Sequence, residues 1–224
     1  MTARPRRRPE PAALAAAALA AAAAGGLNFA RHRRHPEPLP YAARWVLRLP
    51  RPFLTAARLR GGLQPAPGEA ILEIGAGTGY YTLPVAASLG PEGRLTALDS
   101  QAEMLEHLDR RAAEAGVRNI VTVEGDARAL PFAEGSFDAA YMAMVLGEIP
   151  ERGGALRELR RVLKPKGRLV VAESPADPHF VSLSRLYEEA TSAGLCFARV
   201  DRPRLAYVAS LEPRGRSSSN PLSA

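Results

Sequence analysis

The sequence has little of what metal sites and covalent crosslinks are made from. It contains one cysteine, Cys196, in 224 residues, so it can form neither an intramolecular disulfide nor a zinc site with several thiolates. His32, His35 and His107 show no metal-ligand spacing. We therefore predict no metal, and we interpret Cys196 as a small buried side chain.

Basic charge is confined to one end of the chain. The net charge is +7, but residues 1–62 hold twelve arginines and two glutamates, which leaves −3 for the remainder. Basic segments of this kind contact nucleic acid or anionic membranes. Because the sequence has no zinc-finger spacing and no aromatic RNA-binding signature, nucleic acid is not the partner that we expect.

Both ends of the chain have biased compositions. Residues 11–30 carry no charge, consist mainly of alanine, and have arginines on either side. A secretory signal, a weakly hydrophobic membrane span and a low-complexity helix all remain open for this stretch. We predict that residues 1–34 are a disordered or membrane-associating segment of a cytoplasmic protein, and that residues 212–224 are a disordered tail.

A second segment, residues 35–67, leads into the body of the chain. It begins with a proline-rich stretch, residues 35–40, and continues with an amphipathic stretch, residues 41–63, in which apolar residues alternate with arginines. That pattern is typical of a helix packed over its own domain or lying on a membrane surface. We predict that it forms a lid.

From residue 68 to residue 211, short apolar runs alternate with helical patterns. Such alternation predicts an α/β fold with a parallel, doubly wound sheet. Strands are predicted at residues 70–74, 94–98, 120–124, 137–144 and 168–173, helices at 78–89, 102–115, 152–163 and 181–193, and a terminal hairpin at 196–200 and 205–211.

The strongest chemical signal is the turn after the first strand, which reads Glu73-Ile74-Gly75-Ala76-Gly77-Thr78-Gly79. Glycines allow the backbone to turn tightly and to approach a ligand without a Cβ in the way. The helix that follows offers free N–H groups to an anion.

Further segments follow this turn at the spacing expected for a single ligand site. Asp99 ends the second strand, 24 residues after Gly75, near the ~20-residue offset at which an acid accepts ribose hydroxyls. Asp126 and Ala127 follow the third strand, where a carboxylate can accept from an adenine amino group. The stretch 163–169, with its proline and glycine, ends a helix before the fifth strand.

In order and spacing, these segments resemble the class I S-adenosylmethionine-dependent methyltransferases, and especially the type 11 group related to ubiquinone and menaquinone biosynthesis. The resemblance implies a Rossmann-like seven-stranded sheet in the order 3-2-1-4-5-7-6 with strand 7 antiparallel, and S-adenosyl-L-methionine as cofactor. It implies that the methionine part of the cofactor contacts the turn, that the ribose contacts Asp99, and that the adenine contacts the segments after strands 2 and 3. The implied cofactor-binding residues are Glu73, Gly75, Ala76, Gly77, Gly79, Asp99, Ser100, Met104, Asp126 and Ala127.

Several of these residues have plainer interpretations. Asp99 can cap the following helix, Asp126 can serve a turn, and Met104 can simply pack in a core. A nicotinamide dehydrogenase is the rival enzyme class, but its G-x-G-x-x-G fingerprint fails here because Tyr80 stands at the third glycine position.

The acceptor side carries a weaker signature. Residues 144–150 lack the Asn/Asp-Pro-Pro-Tyr motif of amino-methylating nucleic-acid enzymes, and no cysteine lies near them, which excludes C5-cytosine and cysteine-dependent arsenic methylation. Residues predicted near the carboxyl ends of strands, where such sheets bind ligands, are Tyr80, Glu148, Glu173, Asp177 and His179. Among them, Glu148 and His179 are the catalytic candidates.

Three functional hypotheses follow. The first is a methyltransferase that acts on a small, hydrophobic molecule, with residues 1–62 contacting a membrane surface. The second is a non-catalytic module that binds the cofactor and works through a partner. The third is a protein or RNA methyltransferase. Turnover with a methyl-labelled cofactor separates the second hypothesis from the others.

Overall fold

The computed structural model describes residues 38–48 and 51–214. The apolar runs form a single seven-stranded sheet, as β-branched and aliphatic residues favour on a buried pleated surface. The strands are β1 Ala70–Ile74, β2 Arg94–Asp99, β3 Ile120–Glu124, β4 Phe137–Ala143, β5 Leu163–Glu173, β6 Leu195–Asp201 and β7 Tyr207–Pro213.

The strand order is β3-β2-β1-β4-β5-β7-β6, which confirms the predicted topology. Strands β1 to β5 pair in parallel, whereas β7 is antiparallel to both β5 and β6. The carboxyl ends of the five parallel strands therefore meet along one edge of the sheet, where ligands of open α/β sheets bind.

Helices cover both faces of the sheet. Successive strand residues point to opposite faces, so Leu72 and Ile74 belong to one buried cluster and Ile71 to the other. The helices are α1 Ala56–Leu63, α2 Thr82–Ser88, α3 Ala102–Glu114, α4 Arg152–Val162 and α5 Leu183–Ser192. The cluster that contains Leu72 includes residues of α4 and α5, and the cluster that contains Ile71 includes residues of α1 and α2.

Most predicted bounds lie within two residues of the observed ones, but two are wrong by more than that. The helix expected at residues 78–89 begins only at Thr82, because Gly77 and Gly79 have φ values of +52° and +86°, which a right-handed helix cannot contain. Strand β5 begins at Leu163 rather than at residue 168, since Leu163 already pairs with Phe137.

The lid predicted over residues 41–63 divides into two elements. Residues Tyr41–Arg48 form a 3-10 helix, which we call the rim helix. The second element, α1, begins after Thr55, whose hydroxyl accepts from the N–H of Arg58 at 3.3 Å. Leu59 and Leu63 of α1 are fully buried, so α1 is part of the core, and only the rim helix can cover a site.

The two ends of the chain correspond only in part to the predictions. Residues 1–37 and 215–224, which include most of both predicted disordered segments, lie outside the described residues. The tail predicted from residue 212 begins too early, because Glu212 is paired with Cys196 in the β6–β7 hairpin. Cys196 itself is only half-buried. Across residues 38–48 and 51–214, no helix is both long and apolar enough to cross a bilayer.

Candidate active site

A cavity of about 770 Å³ opens at the carboxyl edge of the sheet, within the ~300–1,000 Å³ usual for small-molecule sites. It is lined by the segments that follow β1 to β5 and by the rim helix. The sequence-predicted residues that line it are Gly75, Ala76, Gly77, Tyr80, Asp99, Ser100, Met104, Asp126, Ala127, Glu148 and Asp177.

The glycine turn brings bare backbone to the cavity wall. A Cβ on Gly75, where φ is +69°, would lie 2.5 Å from the side chain of Val145, and a Cβ on Gly77 would lie 3.1 Å from Leu47 of the rim helix. Gly79 does not line the cavity, and a Cβ there would overlap Leu108 of α3. Gly79 therefore serves the packing of the turn against α3.

Asp99 joins the turn to the segment after β2. Its Oδ2 accepts from the N–H of Gly77 at 2.8 Å, and its Oδ1 accepts from the N–H of Gln101 at 3.0 Å. The side chain is 8% exposed, and burial raises its pKa against the opposing effect of these N–H groups. A carboxylate has about four lone-pair sites, so Asp99 can still accept from a ligand.

The segments expected near adenine line the cavity, and one of them carries an ion pair that the sequence analysis did not foresee. Met104 is buried and also lines the cavity, so packing and ligand contact are compatible. The carboxylate of Asp126 is bound by the guanidinium of Arg128, with Nη2 2.6 Å from Oδ2, and this pairing lowers its pKa. An adenine amino group would therefore have to share Asp126 with Arg128.

Glu73 lies behind the turn rather than in the cavity wall. It is almost completely buried, and the side chains of Thr82 and Tyr141 face it. Burial raises the pKa of Glu73 to about 8. Its contribution to a ligand site would consequently be indirect, through the shape of the turn.

The acceptor-side candidates separate into two groups. Tyr80, Glu148 and Asp177 line the cavity, whereas Glu173 and His179 do not. Burial raises the pKa of Glu148 to about 8, and the charges of Asp177 and Asp99 add to this effect. Burial also raises the pKa of Glu173 well above its usual range.

His179 contributes its backbone to the loop after β5. Its N–H donates to Oδ1 of Asp177 at 2.8 Å, and its carbonyl lies against Gly147 in the loop after β4. Glu148 is therefore the better placed of the two predicted catalytic candidates.

Sequence reasoning missed several residues of the cavity wall, and two of them have an unusual geometry. The guanidinium carbon of Arg51 lies 4.3 Å from the ring centroid of Tyr80, but the sequence offers no signal that separates Arg51 from neighbouring arginines. Met144 has a φ of +59°, a strained conformation for a residue other than glycine that concentrates at functional sites. Within the described part of the chain, no group of three or more His, Cys, Asp or Glu residues is placed to hold a metal.

The chain was compared with known families and curated proteins. Residues 71–167 match the family model described as "Methyltransferase domain". The demethylmenaquinone methyltransferase of Lactococcus lactis is 38% identical over 122 residues, which cover 54% of this chain and 48% of the relative. The protein of that name from Staphylococcus aureus is 36% identical over 122 residues, covering 54% and 50%. The chain thus spans about half the length of these relatives.

Solved structures share the fold. An S-adenosylmethionine-dependent methyltransferase from Aquifex aeolicus superposes with a TM-score of 0.73 at 20% identity, covering 78% of this chain and 99% of that one. The YcgJ protein from Bacillus subtilis superposes with a TM-score of 0.57 at 25% identity, covering 66% of this chain and 70% of that one. The [4+2]-cyclase SpnF superposes with a TM-score of 0.64 at 20% identity, covering 71% of this chain and 81% of that one.

Residues 71–167 match a methyltransferase domain, and the chain has the fold of a solved S-adenosylmethionine-dependent methyltransferase. By sequence it is similar over 122 residues to demethylmenaquinone methyltransferases. S-adenosylmethionine fits the residues present, because Gly75 and Gly77 line the cavity without side chains and Asp99 offers acceptor oxygens to a ribose.

Proposed function

We propose that this protein transfers the methyl group of S-adenosylmethionine to a small, apolar, ring-bearing acceptor of the demethylmenaquinone type. One observation carries the proposal. The cavity that begins at Gly77 and Asp99 continues without interruption past Met144 to Glu148 and Asp177. A cofactor and an acceptor can therefore lie in one continuous cavity, as an in-line displacement requires.

The wall of this cavity suits an apolar acceptor. It includes the apolar side chains of Leu39, Val46, Leu47, Met144 and Ile149. Pockets lined in this way bind apolar ligands through burial of their surface, and a few polar groups fix the orientation. The relatives are named for demethylmenaquinone, a quinone whose ring and apolar side chain fit this description.

Glu148 is the group that we propose removes a proton from the acceptor. The bound cofactor supplies an activated methyl group on a sulfonium. Ring methylation at carbon or oxygen would release one proton, which the Glu148 carboxylate would take up from the acceptor. The rim helix covers the cavity and helps to exclude water.

Glu148 predicts a pH dependence of the transfer rate. Because its pKa is raised to about 8, the carboxylate is mostly protonated at pH 7, and the active ionised form accumulates as the pH rises. We expect the single-turnover rate to increase tenfold per pH unit below about 8 and to level above it. Groups that face Glu148 are Asp177 from the loop after β5, Asp99 from β2 and the backbone of Leu39.

The matched control is Glu148→Gln, which keeps the shape of the side chain and cannot titrate. Its rate should be lower by about 10²–10⁴-fold and flat between pH 6 and pH 9. Glu73 titrates in the same range, so cofactor affinity is measured at each pH. A rise through pH 8 that persists in Glu148→Gln would show that another group is the base.

We also propose that the mouth of the cavity contacts a membrane surface. Trp45 of the rim helix is 63% exposed, and Val46 beside it is partly exposed while also lining the cavity. Tryptophan and arginine favour the interface between lipid and water, and Arg44 stacks over Tyr41 in the same helix. An acceptor with an apolar tail would reach the cavity from that surface.

Trp45→Glu tests this contact in the full chain. Deletion of residues 1–62 would be unsuitable because it removes the buried Leu54 and Leu59. We expect Trp45→Glu to reduce co-sedimentation with phosphatidylglycerol vesicles by about tenfold, the value of one buried aromatic side chain. Val121→Glu, at an exposed apolar residue of β3 away from the mouth, should bind as the wild type does. Equal loss in both variants would contradict the proposal.

The methyl-transfer proposal is tested with methyl-labelled S-adenosylmethionine and a reduced demethylmenaquinone in lipid vesicles. Label should enter the lipid fraction, and a variant that cannot bind the cofactor should give none. Label in protein or RNA fractions of an extract would favour those acceptors instead. Cofactor binding without label in any fraction would favour the non-catalytic module.

A further inference from the structure

One cation in the wall of the cavity has an N–H donor without a hydrogen-bond partner among the described residues. Among the described residues, the cations that line the cavity are Arg51 and Arg128. Arg128 is held by the carboxylate of Asp126. Arg51 forms no ion pair with any described residue, and its Nη1 is buried without a hydrogen-bond partner among them. An unsatisfied buried guanidinium N–H costs free energy that a ligand oxygen would recover.

The guanidinium of Arg51 is fixed in place by two aromatic rings. Its central carbon lies 4.3 Å from the ring centroid of Tyr80 and 5.2 Å from that of Tyr81. The two rings meet edge to face at 4.8 Å. The Tyr81 hydroxyl donates to the carbonyl of the buried Leu54 at 2.8 Å. Cation–π contacts and this hydrogen bond therefore hold the donor in one orientation.

Arg51 faces the half of the cavity where an acceptor would lie. Its positive charge acts on Asp177, and the charge of Asp177 acts in turn on Glu148. Arginine keeps its proton at any physiological pH and presents several N–H donors in one plane. The site thus pairs a group that can accept a proton with a permanent cation that can stabilise the anion left behind.

We propose that Arg51 selects the acceptor by donating from Nη1 to a ring oxygen that is anionic when methyl transfer begins. The inference rests on the proposed function for the identity of the ligand. In the step concerned, the O–H bond of a phenolic acceptor breaks, its electron pair stays on the oxygen beside Arg51, and the proton passes to Glu148. Arg51 is then a specificity-determining residue, and the protein prefers ring acceptors with an acidic hydroxyl.

Binding of a matched pair of probes tests this preference without turnover. The probes are 2-hydroxy-1,4-naphthoquinone, which is anionic at neutral pH, and its neutral 2-methoxy analogue. Both are titrated into the full chain saturated with S-adenosylhomocysteine. The wild type should bind the anionic probe tighter by about 10–100-fold, as expected for hydrogen bonds to a charged group. Arg51→Met should bind both probes alike, and Arg51→Lys should retain part of the preference.

Affinity for S-adenosylhomocysteine and the melting temperature are measured for each variant. The proposal requires cofactor affinity within about twofold of wild type in Arg51→Met. A loss of cofactor affinity equal to the loss of probe affinity would assign Arg51 to the cofactor carboxylate and overturn the proposal. Equal binding of both probes by the wild type, or binding of neither, would also overturn it. A preserved preference without methyl transfer to any acceptor would refute the proposed function and leave only the preference of Arg51 for an anionic ring oxygen standing.

Discussion

Gly77→Arg should abolish cofactor binding while leaving the fold intact. The position lines the cavity with a φ of +52°, and a Cβ there would lie 3.1 Å from Leu47 of the rim helix, so the added side chain would occupy the space assigned to the methionine part. Asp99 would also lose its alignment, because it accepts from the N–H of this residue. We expect the dissociation constant for S-adenosylmethionine, measured by titration calorimetry, to rise by about 100-fold or more, equivalent to ~3 kcal/mol.

Gly116→Arg provides the matched control for this variant. Gly116 has a φ of +68°, nothing lies within 4 Å of its Cβ position, and it does not line the cavity. Both variants place a side chain in the left-handed region, at a cost of about 1–2 kcal/mol, but only Gly77→Arg fills the cavity. Wild-type cofactor affinity in Gly77→Arg would refute the site, as would an equal loss in Gly116→Arg.

The sheet was predictable because a short apolar run between turn residues indicates a strand without any knowledge of tertiary contacts. Strands β1 and β3 have the predicted bounds, since each is a short apolar run between turn residues. The start of α2 was not predictable from helical propensity, because the left-handed φ values of Gly77 and Gly79 prevail over it. The division of residues 41–63 likewise depends on burial of Leu59 and Leu63 against the sheet, which a linear pattern does not contain.

The candidate site was most predictable where a motif and a strand end coincide. Gly75, Gly77 and Asp99 line the cavity as the turn and the spacing predicted. Glu173 belongs to the same strand edge but points into the core, because the side chains of successive strand residues alternate between faces. Arg51 reaches the cavity through contacts with Tyr80 and Tyr81, which are nearly 30 residues away in sequence. Contacts of that kind depend on the folded chain.

The loops after β4 and β5 meet at Gly147, and this contact positions the acceptor side of the cavity. A Cβ at Gly147 would overlap the carbonyl oxygen and carbon of His179, which are backbone atoms and cannot rotate away. His179 and Asp177 are joined by the hydrogen bond from the His179 N–H, and Glu148 follows Gly147 directly. The absence of a side chain at Gly147 therefore sets the separation of Glu148 from Asp177.

Gly147→Ala should destabilise the protein and weaken the acceptor site together. Overpacking against fixed backbone costs typically about 1–3 kcal/mol, and we expect about 3 kcal/mol here, which lowers the melting temperature by about 6–12 °C for a chain of this size. Gly61→Ala is the control, since Gly61 lies in α1 with nothing within 4 Å of its Cβ position, and alanine there should stabilise the helix slightly. Thermal unfolding of both variants checks the prediction. If Gly147→Ala has the same melting temperature as the wild type, the two loops do not pack as described, and the distance between Glu148 and Asp177 must be set by other contacts.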